Sequence, residues 1–295
     1  DLQLRNIDYQ TSGSTSNIDQ LVVDKKYSFF NPKAGLNYDI NQKNKIYFSL
    51  SKAQREPTRS DFENNINIQP EELIDYELGW KYNAEKFFFN SNLYYMGYKN
   101  QLVLTGALDD VGSPIRENSG KSYRTGIELE SVYKATNKLN ISANISLSEN
   151  KNVDYKTNYN GVITDWGDTD ISFSPNVISS AGIQFSASQD LTFTLLNKFV
   201  GNQYMSNTES NISKLSSYST TDLNILYTIK NSAYFSEIIV TAMINNIFNK
   251  EYVSNGYYYT YDDTWSDPNL ITTIEGTGYY PQAKRNFLLG LTFKI

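Results

Sequence analysis

The sequence predicts an all-β fold: an antiparallel transmembrane β-barrel, with about twelve strands in this chain. Three observations predict it. Apolar and polar residues alternate with period two along most of the chain, short connections alternate with long ones, and aromatic residues gather near the ends of the predicted strands.

The alternation is clearest in four places. "FNPKAGLNYDI" puts Phe30, Pro32, Ala34, Leu36, Tyr38 and Ile40 on one face and Asn31, Lys33, Gly35, Asn37 and Asp39 on the other. "LIDYELGWKYN" sets Ile74, Tyr76, Leu78, Trp80 and Tyr82 against Asp75, Glu77, Gly79 and Lys81. "LNISANISLS" sets Leu139, Ile141, Ala143, Ile145 and Leu147 against Asn and Ser. The last strand sets Phe287, Leu289, Leu291, Phe293 and Ile295 against Asn286, Gly290, Thr292 and Lys294. In chain order the predicted strands lie near 2–9, 27–40, 45–53, 71–83, 87–105, 117–134, 138–150, 175–188, 190–201, 216–230, 237–248 and 284–295. Most reach the ~9–11 residues that a bilayer-crossing strand needs.

The connections sort by length. Those at 41–45, 84–86, 135–138, 188–190 and 230–236 are short; those near 10–26, 54–70, 106–116, 151–174, 202–215 and 249–283 are long. Short turns on one side and long loops on the other mark an outer-membrane barrel, whereas a β-sandwich has no reason to sort its loops. By the short turns lie Tyr38, Tyr47, Trp80, Tyr82, Phe87, Tyr133, Phe193, Tyr227, Phe235 and Phe293; by the long loops lie Tyr27, Phe29, Tyr98, Tyr123, Phe199, Tyr204, Tyr218 and Tyr252. These read as two interfacial girdles, because amphipathic rings favour the headgroup level. The polar face then looks into a lumen, which accounts for a mean hydropathy of −0.50.

Composition narrows the chemistry. The 295 residues contain no Cys and no His, which removes disulfides, His-ligated zinc and Ser-His-Asp triads. Nothing in the residues points to an enzyme, and no cofactor is called for. A net charge of −6 argues against nucleic acid as a partner. No apolar run approaches the ~18 residues of a transmembrane helix. "DLQLRNIDYQ" lacks a basic region followed by an apolar core, so an export signal would lie upstream.

Four blocks carry a family likeness, in order along 30–295. The segment 30–62 begins with an N-P-K-x-G-x-x-Y strand and ends in Arg55, Glu56, Pro57 and Thr58. The segment 68–82 holds Pro70, Glu71, Tyr76, Glu77 and Gly79. "INNIFNKEYVSNGY" holds Asn246, Ile247, Phe248 and Tyr252, and "PQAKRNFLLGLTFKI" forms the terminal strand. Together they resemble the barrel of TonB-dependent outer-membrane receptors. The resemblance implies a Gram-negative outer membrane, a barrel of about 22 strands and a plug domain that reaches the TonB complex. It also implies energy-coupled uptake of a scarce solute: a ferric siderophore or similar iron chelate, with saccharide, cobalamin or haem as other options. Iron would enter only as part of the transported ligand.

Residues 1–295 are accordingly expected to be the C-terminal portion of such a barrel, without the plug, and the rest of the barrel is expected upstream, since Asp1 begins inside a strand. The other class is a complete twelve-stranded barrel acting as a passive channel, an adhesin or a component of a membrane assembly.

Ligand-binding residues are sought in the long loops, where a rigid scaffold presents variable chemistry. Loop 249–283 carries Tyr257, Tyr258, Tyr259, Tyr261, Trp265, Tyr279 and Tyr280. These rings either stack on a ligand face or divide between the outer girdle (Tyr252, Tyr257) and loop-to-loop packing. Arg55, Arg59, Arg116 and Arg124 are the cations for an anionic chelate, or else partners in lumen ion pairs with acids such as Glu56, Glu117 and Glu128. The loop carboxylates Asp109 and Asp110 read as solvated charge. Asp262, Asp263 and Asp267 do so too, with calcium as the lesser possibility.

Overall fold

The computed structural model describes residues 1–295 apart from 16–17, 110, 160–161, 231–233, 264, 267–269 and 271. From the N-terminus run β1 (Leu2–Gly13), β2 (Leu21–Asn41) and β3 (Asn44–Arg55), then the short helix α1 (Arg59–Asn64), β4 (Glu71–Asn83) and β5 (Phe87–Lys99). The hairpin β6 (Leu102–Leu108) and β7 (Pro114–Asn118) precedes β8 (Lys121–Lys134). Next come β9 (Leu139–Tyr159), β10 (Val162–Asp170), β11 (Val177–Ser186) and β12 (Leu191–Val200). The two-residue strands β13 (Gln203–Tyr204) and β14 (Lys214–Leu215) lead to β15 (Tyr218–Lys230) and β16 (Glu237–Asn245). A second hairpin, β17 (Val253–Asp263) with β18 (Thr272–Pro281), precedes the final strand β19 (Asn286–Lys294).

Twelve strands form one antiparallel path in the order β1-β2-β3-β4-β5-β8-β9-β11-β12-β15-β16-β19, with β10 added to the far end of β9. They correspond one for one to the twelve predicted segments. Each pairs with its sequence neighbours in this path, as in an up-and-down barrel wall. Among the described residues no ladder joins β1 to β19, so the wall is an arc. Five close turns lie on one side and six long excursions on the other.

The excursions hold more structure than the sequence pattern showed. Predicted segment 87–105 divides where Asn100 adopts a left-handed φ of 55° and its N–H donates to the Gly120 carbonyl. The chain leaves the wall there, forms the β6–β7 hairpin, and returns at Gly120, whose φ is 76°. Segment 117–134 divides at the same neck. Loops 10–26 and 151–174 are largely continuations of paired strands, and loop 249–283 is mostly the β17–β18 hairpin.

Each wall strand presents an apolar face with no protein partner. Leu36, Leu289 and Leu291 are 68, 73 and 55 % exposed, a pattern that suits lipid and not water. On the short-turn side Trp80, Tyr82, Phe87, Phe89 and Tyr133 form a connected aromatic belt. The long-loop belt differs from the expectation. Strand parity turns Tyr27, Phe29, Tyr98 and Tyr218 to the polar face, together with Tyr47 from the opposite belt; Phe29 is buried at 4 % exposure. Tyr123 and Phe199 face outward on that rim as expected, and Tyr76 and Tyr95 join them. Proximity to a strand end was insufficient; the odd or even position decides the face.

Tyr47 explains a glycine in the wall. Its ring lies across Gly79, its partner on β4, so that a Cβ there would stand 2.1 Å from ring atoms. The Tyr47 hydroxyl donates to Asn92 Oδ1 at 3.1 Å, and the Lys81 ammonium sits 5.1 Å from the ring centre. Gly79→Val is expected to destabilise the folded barrel by about 1–3 kcal/mol, because the new side chain overlaps the Tyr47 ring and displaces it from its place beside Asn92. Urea unfolding in detergent micelles, followed by tryptophan fluorescence, reads this directly; an unchanged midpoint would show that the contact is slack.

Candidate functional site

A barrel wall with lipid on one side and a polar lumen on the other has no interior of its own, so buried apolar residues must gather elsewhere. They gather in the long excursions. One cluster joins Leu21 and Val23 of β2, Phe62, Ile68 and Leu102, with the Tyr9 ring tilted against Phe62 at 5.3 Å. A second joins Met205, Leu215 and Tyr258, flanked by Phe173 and Val253. A buried polar knot adds ties between excursions. The Leu104 carbonyl accepts from Ser172 Oγ at 2.5 Å and Asn207 Nδ2 at 2.9 Å. Asn207 Oδ1 accepts from the Ser172 N–H at 2.9 Å and Asn152 Nδ2 at 3.3 Å. With Asn152 and Asn207 at 0 and 2 % exposure, these bonds form away from water and fix the register of the excursions on one another. Tyr155 of β9 adds a further tie, donating its hydroxyl to Glu117 of β7.

Below this cap, on the polar face of the wall, a cavity of about 320 Å³ is lined by Glu77, Asn92, Tyr94, Arg124, Glu128 and Ser174, among others. Arg124 lies opposite Asn150 in the β8–β9 ladder. Its guanidinium donates to Asn150 Oδ1 at 3.2 Å and Ser174 Oγ at 2.9 Å, both neutral acceptors. Among the described residues Arg124 has no ion pair, although Glu77 and Glu128 share the cavity.

The other three candidate arginines are engaged elsewhere, with acids that differ from those expected. Arg55 reaches Glu71 at 3.5 Å, and Arg59 pairs with Glu63 one helical turn on, at 2.6 Å. Arg116 pairs at 3.1 Å with Asp61, whose side chain is 2 % exposed. Glu56 is taken by Arg5 at 2.5 Å, and Glu117 by Tyr155. These are structural pairs, and among the described residues Arg124 is the candidate arginine that lines a cavity.

The aromatic candidates split by strand parity. Tyr257, Tyr259 and Tyr261 occupy one face of β17, with centroids 6.2 and 6.4 Å apart in stacked geometry, and Trp265 continues the row at 6.5 Å. Tyr280 of β18 joins Tyr257 at 6.0 Å. Tyr257 and Tyr259 press against Gly278 and Gly276 directly across the hairpin, where a Cβ would meet the rings at 2.2 and 2.4 Å. Tyr258 is on the other face, turned into packing between loops. It is 7 % exposed, packs on Met205 and Leu215, and donates to Glu275 Oε1 at 2.5 Å. Burial, assisted by that carboxylate, pushes its hydroxyl up to about 12. Tyr279 shares its face and donates to the Ile212 carbonyl at 3.2 Å. The girdle assignment of Tyr252 is corrected. It stacks 4.4 Å from Tyr218, on the polar side beside Asp222, and not in the lipid belt.

The remaining motif positions build the scaffold. Pro57 is fully buried at the exit from β3, and Pro70 precedes β4. Glu71 caps the start of the β6 hairpin by accepting the Leu102 N–H at 2.7 Å. Tyr76 is in the outward belt, and Glu77 accepts from Ser49 Oγ at 3.2 Å on the lumen face. Asn246, at φ 51°, closes the exit from β16: its side chain bonds both the N–H and the carbonyl of Lys250, while its own N–H donates to Asp222. Phe248, beside it, is 75 % exposed. Sequence reasoning missed Asn152, Asn207 and Ser172, because polar residues in a polar loop give no periodic signal; only Gly276 and Gly278, alternating opposite Tyr257 and Tyr259, hinted at a hairpin.

The calcium reading finds no support in the described residues. Asp263 Oδ1 accepts the N–H groups of Trp265 and Ser266, Asp262 Oδ1 accepts from Thr273, and no group of three acidic side chains converges. Asp109 closes the β6–β7 turn by accepting from the Val111 and Ser113 N–H groups. Asp110 and Asp267 lie outside the described residues.

Two outcomes follow for the cap. Arg116→Ala leaves Asp61 charged and buried without its partner, at a cost of about 3–5 kcal/mol; the measurable consequence is faster protease cleavage in 56–70 and 101–119 with the wall intact. Burial also raises the Glu117 carboxyl above its ordinary 4.5, against the opposing pull of the Tyr155 hydroxyl. A raised folded-state value stabilises the hairpin fully below the ordinary value, and the contribution is lost as pH rises through the raised one. Hydrogen-exchange protection of 102–118, corrected for intrinsic rates, should therefore fall as pH climbs above 4.5, and Glu117→Gln should flatten the dependence.

Comparison with known proteins agrees with this architecture. The family described as TonB dependent receptor-like, beta-barrel, matches residues 1–247. No curated protein matches the sequence significantly. Among solved structures, the siderophore receptor PiuA from Acinetobacter baumannii superposes with a TM-score of 0.69 at 18 % identity, over 95 % of this chain and 38 % of that one. The copper transporter OprC gives 0.67 at 16 %, over 92 and 40 %. The ferric yersiniabactin uptake receptor FyuA from Yersinia pestis gives 0.63 at 17 %, over 96 and 40 %. At such identities the likeness is one of fold, and the chain spans about two fifths of the length of each. With the family match over most of its length and the twelve-strand wall beneath a folded cap, this chain belongs to the TonB-dependent receptor β-barrel family.

Proposed function

We propose that this chain is the C-terminal portion of the barrel of a receptor in the outer membrane of a Gram-negative bacterium, and that the receptor imports an iron chelate, most simply a ferric siderophore, by TonB-coupled transport. The plug, the TonB-contacting segment and the remaining wall would come from the rest of the receptor. Iron is cargo in this reading and not a resident cofactor.

The observation that carries the proposal is Arg124. Among the described residues it is the candidate arginine that lines a cavity beneath the cap, and its hydrogen bonds go to neutral acceptors, so the guanidinium can take an anionic ligand without breaking an ion pair. Two of the similar structures are described as a siderophore receptor and a ferric yersiniabactin uptake receptor, which agrees with an anionic chelate. A saccharide is the second reading, favoured by the aromatic row that starts at Tyr257 and is exposed at Tyr259, Tyr261 and Trp265, whose ring faces suit sugar stacking.

The test is uptake of radiolabelled ferric catecholate, ferric hydroxamate and a maltooligosaccharide by cells expressing the full-length receptor, with TonB present or deleted. The expected result is TonB-dependent uptake of a ferric chelate, with affinity reduced about tenfold or more by Arg124→Ala, the loss expected for one charge-assisted hydrogen bond. Uptake that persists without TonB would replace the proposal with a passive channel. Uptake of the oligosaccharide alone, lost on substituting Tyr259 and Tyr261, would replace the cargo.

A further inference from the structure

A second cavity, of about 420 Å³, opens among the excursions, between the β6–β7 hairpin and the start of β17. Leu104, Leu108 and Pro114 give it an apolar side, and Gln203, Ser254 and Asn255 a neutral polar one. Among the described residues no charged side chain lines it. The cavity below holds Arg124 together with Glu77 and Glu128. Each has the size to take a small molecule or part of a larger one. Among the described residues, Phe173 is the one common to both linings.

Phe173 is held there against its own preference. Its φ is 52°, in the left-handed region that bulky side chains rarely adopt. Such a backbone persists only where its surroundings over-determine it. The Phe173 N–H donates to the Tyr204 carbonyl at 2.7 Å. Ser172 before it is fastened to Asn207 and to the Leu104 carbonyl. Ser174 after it donates Oγ to the Ser172 carbonyl at 3.0 Å and accepts from Arg124 at 2.9 Å. The ring itself is half-buried beside Met205, Leu215 and Tyr258. Residues 172–174 therefore run from the buried polar knot at one end to Arg124 at the other, with the aromatic ring between two cavities of unlike chemistry. The tie to Arg124 is the exchangeable one, because an anion is a stronger acceptor for a guanidinium than a serine hydroxyl.

We infer that Phe173 is a gate between an uncharged vestibule in the cap and the Arg124 cavity, and that an anionic group on the ligand releases it by drawing the guanidinium away from Ser174. The vestibule suits the neutral part of a ligand, apolar with amide or hydroxyl groups, and the inner cavity its anionic part. Opening also lets residue 173 leave the left-handed region, so backbone strain favours the movement once the tie is gone. The inference deepens the function proposed above. It rests on the outward-facing cap of that reading and not on the identity of the cargo.

The test uses the absence of cysteine from this chain. In the full-length receptor on intact cells, Ser254→Cys marks the vestibule and Ser146→Cys the inner cavity, and a membrane-impermeant maleimide measures the access of each. Ser254→Cys should label promptly whatever stands at 173. Its labelling only after lysis would overturn the outward placement and the inference with it, whereas the outcomes that follow bear on the gate alone. Ser146→Cys should label slowly beside Phe173 and about tenfold or more faster beside Phe173→Gly, since a closed form visits a minor open state about 10 % of the time or less. Glycine suits a φ of 52° and so keeps the backbone path. Phe173→Tyr, which keeps the ring, should label as the parent does. Ser174→Ala, which cuts the tie and leaves the ring, should accelerate labelling part of the way. Heat-modifiable gel mobility shows that each variant is folded, and Ser174→Ala carries the test alone where Phe173→Gly does not fold. Equal labelling at the two cysteines beside Phe173 would overturn the gate, as would a Ser146→Cys rate that Phe173→Gly leaves unmoved. A rate unmoved by Ser174→Ala would overturn release through Arg124.

Discussion

A peptide group in hydrocarbon must find its hydrogen-bond partner within the protein, because no water is present to supply one. That requirement governs the arrangement of this chain. Twelve strands pair with their sequence neighbours, so that each interior strand has both edges satisfied along its length. Once the backbone is paired in this way, side chains are left free to answer to two solvents. Odd and even positions diverge accordingly: Leu36 and Leu289 meet lipid, while Asn144 and Ser180 bond one another at 2.8 Å on the lumen side. The low hydropathy of the chain is the sum of these two surfaces, and a soluble fold of this length would need an apolar interior that this one lacks.

The missing interior reappears in the cap. Phe62, Ile171, Met205 and Leu215 are the large apolar side chains most completely removed from solvent, and all four belong to excursions and not to wall strands. A loop that must hold a shape above a pore needs its own core, since the wall beneath it offers only polar anchor points. Glu71 and Asn246 supply such anchors at two of the exits, each satisfying backbone groups where the ladder stops. Both fall in motif blocks, which assigns those motifs to the transitions between wall and cap.

Much of this was legible in the sequence, and the legible part has one cause. Wall strands face two unlike media, so period-two alternation in segments such as 73–83 and 139–148 is strong, and the order of short and long connections sets the sidedness. The girdle was legible only in part. Tyr98 and Tyr123 both lie near strand ends, yet their parity sends one to the lumen and the other to lipid. The cap was opaque for the opposite reason. In β17 every second residue from Tyr257 to Tyr261 is tyrosine and so is Tyr258 between them, and the side chain that becomes core carries no mark distinguishing it from those left exposed. Arg116 and Arg124 were equally plausible ligand contacts as letters; a buried Asp61 claimed one, and a pair of neutral acceptors left the other facing a cavity.

The polar knot at Leu104 bears on how such a protein diversifies. Asn207, Ser172 and Asn152 come from different stretches of the chain, and all reach one backbone carbonyl directly or through a single intermediate. A carbonyl has no side chain to vary, so the partner that fixes the knot is indifferent to the identity of residue 104 and sensitive only to the path of the backbone. Lengthening the excursion at 101–119 would move that oxygen and strand the groups that converge on it. The surface excursions of this chain are therefore not separate cassettes. Inheritance or engineering that alters one would have to bring the others with it, and a chimera made by exchanging a single loop would carry a buried amide without its partner.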